Sequence, residues 1–132
     1  MHIAPALLDA ILDHARRDAP NECCGFVALV DGRAVEVLPV ENVAASPLRF
    51  EVGPQDLLRI TSEIEDAGRD IAIYHSHTRS APYPSQTDIN FAAHWPGVQW
   101  LIVGVAGDEP EVRNYAIDDG VVSEVEVRVD GA

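Results

Sequence analysis

The chain has 132 residues, of which 47% are hydrophobic, and its net charge is −13. This composition predicts one domain over residues 1–132 with an ordinary core, and it excludes global disorder. The negative charge excludes nucleic acid and anionic membranes as partners, because both require a basic surface. No apolar run approaches the roughly 20 residues of a membrane span. The start of the chain lacks a basic stretch followed by an apolar one, so we expect no secretory signal and a cytoplasmic location.

The N-terminal part predicts a helix followed by a β-hairpin. Apolar residues recur at helical spacing over residues 5–17. An apolar run at 26–30 and a second strand at about 33–40 flank Asp31-Gly32, which is a favoured two-residue hairpin turn. These elements place a strand directly after the first helix.

The middle of the chain predicts irregular structure, then a helix, a strand and a second helix. Residues 41–53 have no clear period, and Pro and Gly suit the start and end of a helix at about 54–67. A buried strand follows at about 71–76, and the loop 78–84 leads to a helix at about 85–94. The inward residues of this last helix are predicted to be Ile89, Ala92 and Ala93.

The C-terminal third predicts three strands. A buried run covers 100–105, a second strand covers 112–117, and a turn at Asp119-Gly120 leads to the third. In that third strand, valines alternate with charged residues, as expected with one wet face: Val125, Val127 and Val129. The whole order predicts an α+β fold, a curved mixed β-sheet with helices packed around it.

Two histidines one residue apart, His75 and His77, follow the apolar residues 71–74. Because side chains alternate along a strand, the two imidazoles project to the same side as a parallel pair. The Pro-rich loop brings back Asp88, whose carboxylate can be a third ligand. Three protein ligands plus water are typical of a catalytic zinc, whereas structural sites usually have four protein ligands. The pattern therefore predicts one zinc ion per chain and a hydrolase.

Some of these residues also have a structural interpretation. Ser85 through Asp88 is nearly a helix capping box, in which the serine hydroxyl accepts a backbone N–H and an acidic residue follows three positions later. The two interpretations are compatible, because a capped helix start aims Asp88 in a fixed direction. Glu22, just before the first strand, is either a surface acid after the helix or a general acid/base beside the metal.

Five residues resemble, in order and spacing, the signature of the JAMM (MPN-plus) metalloprotease family: Glu22, His75, His77, Ser85 and Asp88. The resemblance spans residues 22–88 directly, and the surrounding order of elements is similar. It implies that His75, His77 and Asp88 bind zinc. It also implies that Glu22 is the general acid/base and that Ser85 stabilises the oxyanion of the tetrahedral intermediate.

The local sequence looks most like the short bacterial branch of this family. Thr78 follows the second histidine, where many members have proline, and Cys24 and Gly25 stand at the matching places. That branch includes hydrolases that remove cysteine, or another adduct, from the C-terminal Gly-Gly of small ubiquitin-like sulfur-carrier proteins. The resemblance therefore implies a zinc peptidase whose partner is such a carrier.

Other functions stay open. The same chemistry would serve a general deconjugating isopeptidase, although the chain shows no long insertion that could grip a large conjugate. A non-catalytic scaffold of this fold would usually lack some of the ligands, all of which are present here. A thiol hydrolase would use Cys23 or Cys24 as its nucleophile, but the pair is also typical of small core residues at a strand start. A zinc deaminase would need a Pro-Cys-x-x-Cys element, which this pair does not supply.

The remaining candidates receive plainer interpretations. Three histidines are predicted to lie at the surface or at helix ends rather than to bind metal: His2, His14 and His94. Ser76 should point away from the metal by strand alternation, which gives it a structural role. Arg79 and Tyr83 lie in the loop between the ligands and are candidates for lining a substrate groove.

Overall fold

The computed structural model describes residues 1–131, which form eight strands and three helices. In chain order they are β1 (His2–Ile3), α1 (Pro5–Asp18), β2 (Cys24–Val30), β3 (Arg33–Val40), α2 (Pro54–Asp66), β4 (Asp70–His77), α3 (Gln86–Ala92), β5 (Gln99–Gly104), β6 (Glu111–Asp118), β7 (Val121–Val125) and β8 (Arg128–Val129). The strands form one mixed sheet in the order β7-β6-β5-β4-β2-β3-β1-β8. The predicted α+β class is confirmed.

Strand β4, which carries the histidine pair, lies in the middle of the sheet. It runs antiparallel to β2 and parallel to β5, and both neighbours are buried along nearly their whole length. β2 continues into β3 through Asp31 and Gly32, whose positive φ values of 51° and 78° fit the predicted hairpin turn. The histidines therefore project from a central part of the sheet rather than from an edge.

Alternating side chains divide the core into two layers, one on each face of the sheet. Val27 and Leu29 of β2 pack with α1 on one face. Phe26 and Ala28 pack with α2 and α3 on the other face. A helix therefore covers each face, and both layers reach the central strands.

The residues of β4 alternate between the same two layers. Ile73 lies on the face of α2 and α3, and His75 follows it on that face. Tyr74 lies on the face of α1, where its ring crosses Gly25 of β2. A Cβ atom at Gly25 would lie 2.3 Å from a ring carbon of Tyr74, so this close approach requires glycine.

The C-terminal strand prediction is wrong in one respect. The alternation of Val125, Val127 and Val129 predicted one continuous strand, but β7 ends at Val125 and the chain crosses to the opposite edge of the sheet. There Val129 belongs to β8, which pairs in parallel with β1, a short strand that we did not predict. All three valines are half-buried as expected. An alternating pattern indicates which face of a strand is buried, but it does not identify the neighbouring strand.

Helix α3 is shorter than the predicted span of 85–94. It begins after Ser85 as N-cap and ends at Ala92. Ala92 is buried, whereas Ala93, which we predicted to face inward, is exposed, because adjacent residues of a helix point about 100° apart. The longest helix, α1, has 14 residues, and within residues 1–131 no helix combines the length and the apolar character needed to cross a bilayer.

Candidate metal centre

His75, His77 and Asp88 meet at the carboxyl end of β4. The two histidines belong to the last three residues of that strand, and Asp88 lies in the first turn of α3. Their exposed fractions are 0%, 4% and 5%, respectively. Both imidazoles approach the same carboxylate oxygen, as strand alternation predicted, so the structure brings together the three residues that we expected to bind a metal.

The three ligand atoms form a small triangle. His75 Nε2 lies 3.1 Å from His77 Nε2 and 3.1 Å from Asp88 Oδ2. His77 Nε2 lies 3.2 Å from the same oxygen. Tetrahedral coordination with bonds of about 2.0–2.1 Å places two ligand atoms about 3.3 Å apart. The triangle therefore has the size that a single zinc-like cation requires.

Hydrogen bonding and stacking orient the two imidazoles. The Nδ1–H group of His77 donates to the carbonyl of Ala81 at 2.8 Å, which leaves its Nε2 as a lone pair. The ring of His75 stacks on Phe50, with ring centroids 4.6 Å apart and planes 27° apart. The two Nε2 atoms and one carboxylate oxygen therefore converge on a single point, the arrangement of three ligands around one metal ion.

The environment favours the metal-binding protonation state in two of the three candidate ligands, Asp88 and His75. Burial alone would raise the pKa of Asp88, but hydrogen bonds from His75 and His77 outweigh it and hold that pKa well below its usual range. Burial lowers the pKa of His75. For His77, burial acts in the same direction, but the hydrogen bonds to Asp88 and Ala81 raise its pKa overall. Asp88 is therefore a carboxylate and His75 a neutral imidazole, whereas a metal ion must displace a proton from His77 under acidic conditions.

Ser85 and Asp88 form the predicted capping box at the start of α3. Ser85 Oγ accepts the N–H of Asp88 at 3.1 Å, and Asp88 Oδ2 accepts the N–H of Ser85 at 2.9 Å. The same carboxylate oxygen contacts both histidines, so the helix cap fixes the third candidate ligand. Because the Ser85 hydroxyl acts as an acceptor in the cap, its own hydrogen stays available for a substrate atom.

Glu22 lies two residues before β2 and faces the metal position. Cys24 is opposite His75 in the antiparallel register, so the same pairing carries Glu22 toward His77. The residue is 4% exposed, and its Oε1 has no hydrogen-bond partner. Burial raises the pKa of Glu22 to about 7, while the nearby His77 lowers it and Asp88 raises it. The interpretation of Glu22 as a surface acid is therefore wrong, and the carboxyl has the properties of a general acid/base.

A cavity of about 250 Å³ opens beside the third ligand. The loop before α2 and the first two turns of α3 supply its walls: Arg49, Phe50, Glu51, Thr87, Asp88 and Phe91. Phe50 therefore has two contacts at the site, one with the cavity and one with the ring of His75. We gave Phe50 no role from the sequence, because a phenylalanine in an irregular segment carries no motif.

The adjacent cysteines are buried free thiols, as the core-residue interpretation predicted. Burial raises the pKa of Cys23 to about 11 and that of Cys24 to about 12. A nucleophilic cysteine needs the opposite shift, toward the thiolate. The environment of this pair therefore argues against the thiol hydrolase.

The prediction that His14 lies at the surface is wrong. Its side chain is buried under the sheet, where Nδ1 lies 2.7 Å from the hydroxyl of Tyr74. Nε2 lies 3.2 Å from a carboxylate oxygen of Asp18. The helical stripe allows this position, but the sequence gives no sign of the tyrosine partner. His2 and His94 are exposed, as predicted.

Ser76 has the structural role that strand alternation predicted. It is fully buried, and its Oγ accepts the backbone N–H of Cys23 at 2.8 Å. Arg79 and Tyr83 are exposed in the loop between the ligands. Arg79 lines a second cavity of about 290 Å³ beside that loop, and Tyr83 packs against Tyr115. Their place in a substrate groove stays a prediction.

One protein family and several known proteins match most of this chain. Residues 4–118 match the family described as prokaryotic homologs of the JAB domain. The chain is 36% identical over 127 residues to the CysO-cysteine peptidase of Mycobacterium tuberculosis. This match covers 93% of this chain and 86% of that protein. It is 42% identical over 115 residues to the desampylase of Haloferax volcanii, with 81% of this chain and 82% of that protein covered.

A solved structure has the same fold. The JAB1/MPN domain protein AF2198 of Archaeoglobus fulgidus superimposes with a TM-score of 0.65 at 25% sequence identity. The match covers 98% of each chain. The similarity therefore extends over the whole sheet and is not limited to the residues around the triangle.

Proposed function

The chain belongs to the prokaryotic JAB-domain family of JAMM hydrolases, and on this premise we propose that it is a zinc-dependent peptidase of a small ubiquitin-like sulfur-carrier protein. It hydrolyses an amide bond at the carrier's C-terminus, for example to release cysteine. One domain over residues 1–132 carries this activity. The observation that carries the proposal is the buried triangle of His75, His77 and Asp88, with the unpartnered carboxyl oxygen of Glu22 beside it.

The triangle would hold the zinc through His75 Nε2, His77 Nε2 and Asp88 Oδ2. These are good zinc donors, and the three separations of 3.1, 3.1 and 3.2 Å suit one ion. Zinc supplies Lewis acidity, which polarises a carbonyl group and lowers the pKa of water toward neutrality. Three protein ligands leave one coordination position for water or substrate.

Glu22 moves the proton in this proposal. Its carboxylate takes a proton from the attacking water as the new C–O bond forms, and it returns that proton to the leaving nitrogen as the C–N bond breaks. A group that does both needs a pKa near the working pH, and burial raises the pKa of Glu22 to about 7. The carboxyl oxygen that lacks a protein partner supplies the base.

Ser85 donates its hydroxyl hydrogen to the oxyanion that forms on the substrate carbonyl. The capping box fixes the side chain, because Oγ already accepts the N–H of Asp88. A donor held in advance toward developing negative charge contributes about 2.7–4 kcal/mol in other hydrolases. The same cap therefore positions one metal ligand and one donor.

The cavity between Phe50 and Phe91 accepts the carrier's extended C-terminal tail. It reaches Asp88, so a tail bound there would present its last carbonyl to the triangle. Glycine residues suit the final approach, because they have no side chain to clash with the buried ligands. The similarity to a CysO-cysteine peptidase supports a carrier–cysteine adduct as substrate.

A second candidate is a deconjugating isopeptidase for ubiquitin-like modifiers. The 42% identity to a desampylase favours it. The two functions share the metal, Glu22 and the acyl side of the substrate, and they differ only in the leaving amine. In one case this amine is the α-amino group of a free amino acid, and in the other it is a lysine side chain of a protein.

Two substrates and a chelator test the proposal. The purified chain is assayed for zinc, then for hydrolysis of a carrier–cysteine adduct and of a carrier–lysine isopeptide conjugate. We expect one zinc per chain and cysteine release that stops on chelation and returns when zinc is added. Faster cleavage of the isopeptide would select the second candidate. Full activity in chelated, metal-free protein would overturn both.

A further inference from the structure

Glu22 lies outside the ladder of β2, and its backbone is held by residues 42–52, here called the Asn42 loop. The N–H of Glu22 donates to the carbonyl of Ser46 at 2.9 Å. Its carbonyl accepts a hydrogen bond from Asn42 Nδ2 at 2.9 Å. The next residue, Cys23, is already tied to β4. The β2–β4 pairing brings Glu22 toward His77, and the Asn42 loop supplies the hydrogen bonds of the Glu22 backbone itself.

Asn42 uses its whole amide group inside the protein, where it is 7% exposed. Nδ2 donates to the carbonyls of Glu22 and Arg49, at 2.9 and 3.1 Å. Oδ1 accepts the N–H groups of Ala44 and Glu51, at 3.1 and 3.0 Å. The Asn42 side chain thus connects the start of the loop, the end of the loop and Glu22. Because every polar atom of this buried network is paired, we expect it to be rigid.

The Asn42 loop also builds the substrate side of the centre. Phe50 stacks on His75, and Arg49 and Glu51 line the cavity beside Asp88. None of the four side-chain hydrogen bonds of Asn42 goes to a metal ligand. Asn42 therefore contacts the segments that carry the base and the cavity wall, and it leaves the ligand triangle to β4 and α3.

We propose that Asn42 is a positioning residue that fixes the position of the Glu22 carboxyl and the shape of the cavity between Phe50 and Phe91. This inference rests on the proposed function. The amide nitrogen of Asn42 holds the carbonyls of Glu22 and Arg49, and its amide oxygen holds the N–H groups of Ala44 and Glu51 in the Asn42 loop. The two halves of the side chain therefore have separate effects. Loss of the nitrogen moves the base, and loss of the oxygen also loosens the cavity wall.

Two substitutions separate these effects in the zinc-loaded enzyme. Asn42→Asp keeps an acceptor for Ala44 and Glu51 but removes the donor to Glu22 and Arg49, so the loop keeps two of its four hydrogen bonds to this side chain. We expect kcat to fall roughly 10–100-fold, as for misplacement of a reacting group by about 1 Å, with KM changed by less than about 3-fold. Asn42→Ala removes both halves, so kcat falls similarly and KM rises as well, because the wall of the cavity is no longer held.

Amide hydrogen exchange gives a readout that does not require turnover. In Asn42→Asp, exchange of the Glu22 N–H should speed up by about 10-fold or more, while that of Glu51 stays slow. In Asn42→Ala, both amides should exchange faster. Unchanged exchange at Glu22 in both variants would overturn the proposal, whatever substrate the enzyme proves to cleave.

Asn114 supplies a matched control for a purely structural effect. It is a fully buried amide on β6, two strands from β4, and it donates to Gln99 at 2.6 Å. Its neighbours Tyr115 and Ile117 lie on the face of α2 and α3, so strand alternation directs Asn114 to the opposite face from the triangle. Asn114→Ala should lower stability but leave kcat per zinc-loaded chain unchanged. The inference is wrong if the wild type cleaves its substrate and both Asn42 variants keep its kcat per bound zinc. A wild type that binds zinc but cleaves no carrier adduct or conjugate would instead refute the proposed function.

Discussion

Each face of β4 carries a cluster of buried ionisable side chains. The two clusters differ in how their polar atoms are paired. On the face of α1, His14 contacts the hydroxyl of Tyr74 through one ring nitrogen and Asp18 through the other. Every polar side-chain atom of this cluster that is buried has a partner within the protein. On the other face, His75 and His77 direct their Nε2 atoms at each other and at one carboxylate oxygen.

The pairing of buried polar atoms distinguishes the structural cluster around His14 from the candidate catalytic cluster around His77. Burial alone does not distinguish them, because His14 and His77 are 5% and 4% exposed. The difference is that the first cluster pairs its buried polar atoms within the protein, whereas the second directs three metal-binding atoms at one point and leaves Glu22 Oε1 and His75 Nδ1 unpaired. Converging metal-binding atoms with an unpaired carboxyl oxygen beside them suit a metal ion and an exchangeable proton, which metal-assisted hydrolysis requires.

Glu22→Gln changes the proposed general acid/base itself and should have the largest effect on kcat. The amide keeps the size of the carboxyl but cannot accept the proton from water. We expect kcat to fall roughly 10²–10⁴-fold with zinc content unchanged, measured by metal analysis and steady-state kinetics on the same sample. A fully active Gln variant would show that another group is the base.

The same substitution should stabilise the metal-free protein at neutral and higher pH. The folded-state pKa of Glu22 is about 7, above the ordinary value of 4.5, so ionising it opposes folding. The penalty is absent below about pH 4 and is complete above about pH 8, where it amounts to roughly 3 kcal/mol. Urea unfolding of chelated wild type and Glu22→Gln should therefore give equal stability at the acid end and a more stable variant at the alkaline end. Equal stability at both ends would contradict the buried, unpaired state of the carboxyl.

Tyr74→Phe tests the paired cluster on the opposite face. It removes the hydroxyl that contacts His14 and leaves a buried ring nitrogen without a partner, which should lower the free energy of unfolding by about 1–3 kcal/mol. Because the cluster is structural, kcat per zinc-loaded chain should stay at the wild-type value. A large loss of kcat in the folded, metal-loaded variant would break the distinction between the two faces.

Alkylation of the cysteines should have the smallest effect. Cys23 and Cys24 are buried, and burial raises their pKa values to about 11 and about 12, so iodoacetamide at neutral pH should leave the native enzyme active. The control is the unfolded protein, in which mass spectrometry should find both thiols modified. Inactivation of the native enzyme in step with alkylation of one cysteine would restore the thiol mechanism.

Local patterns predicted most of the fold and the ligand triangle. Helical and alternating periodicities located the three helices and the central strands, and the same alternation placed His75 and His77 on one side. The predictions failed where long-range pairing decides the outcome. After Val125 the chain crosses to the opposite edge of the sheet, where β8 pairs with β1. No local periodicity of the sequence predicts this pairing.

The supporting residues of the centre were harder to predict than its ligands. Few residue types bind metals, so spacing could select His75, His77 and Asp88 as candidate ligands. Asn42 and Phe50 act through contacts with residues distant in the sequence, namely Glu22 and His75. An asparagine or a phenylalanine in a loop has many ordinary uses, so a single sequence gives no reason to select either one.

Zinc binding by His77→Ala tests the central claim most directly. Wild type, Glu22→Gln and His77→Ala are stripped with a chelator, dialysed against zinc, and measured for bound metal per folded chain. The triangle predicts one zinc in the wild type and in Glu22→Gln, and none in His77→Ala. One tightly bound zinc in folded His77→Ala would contradict the ligand assignment and, with it, the proposed mechanism.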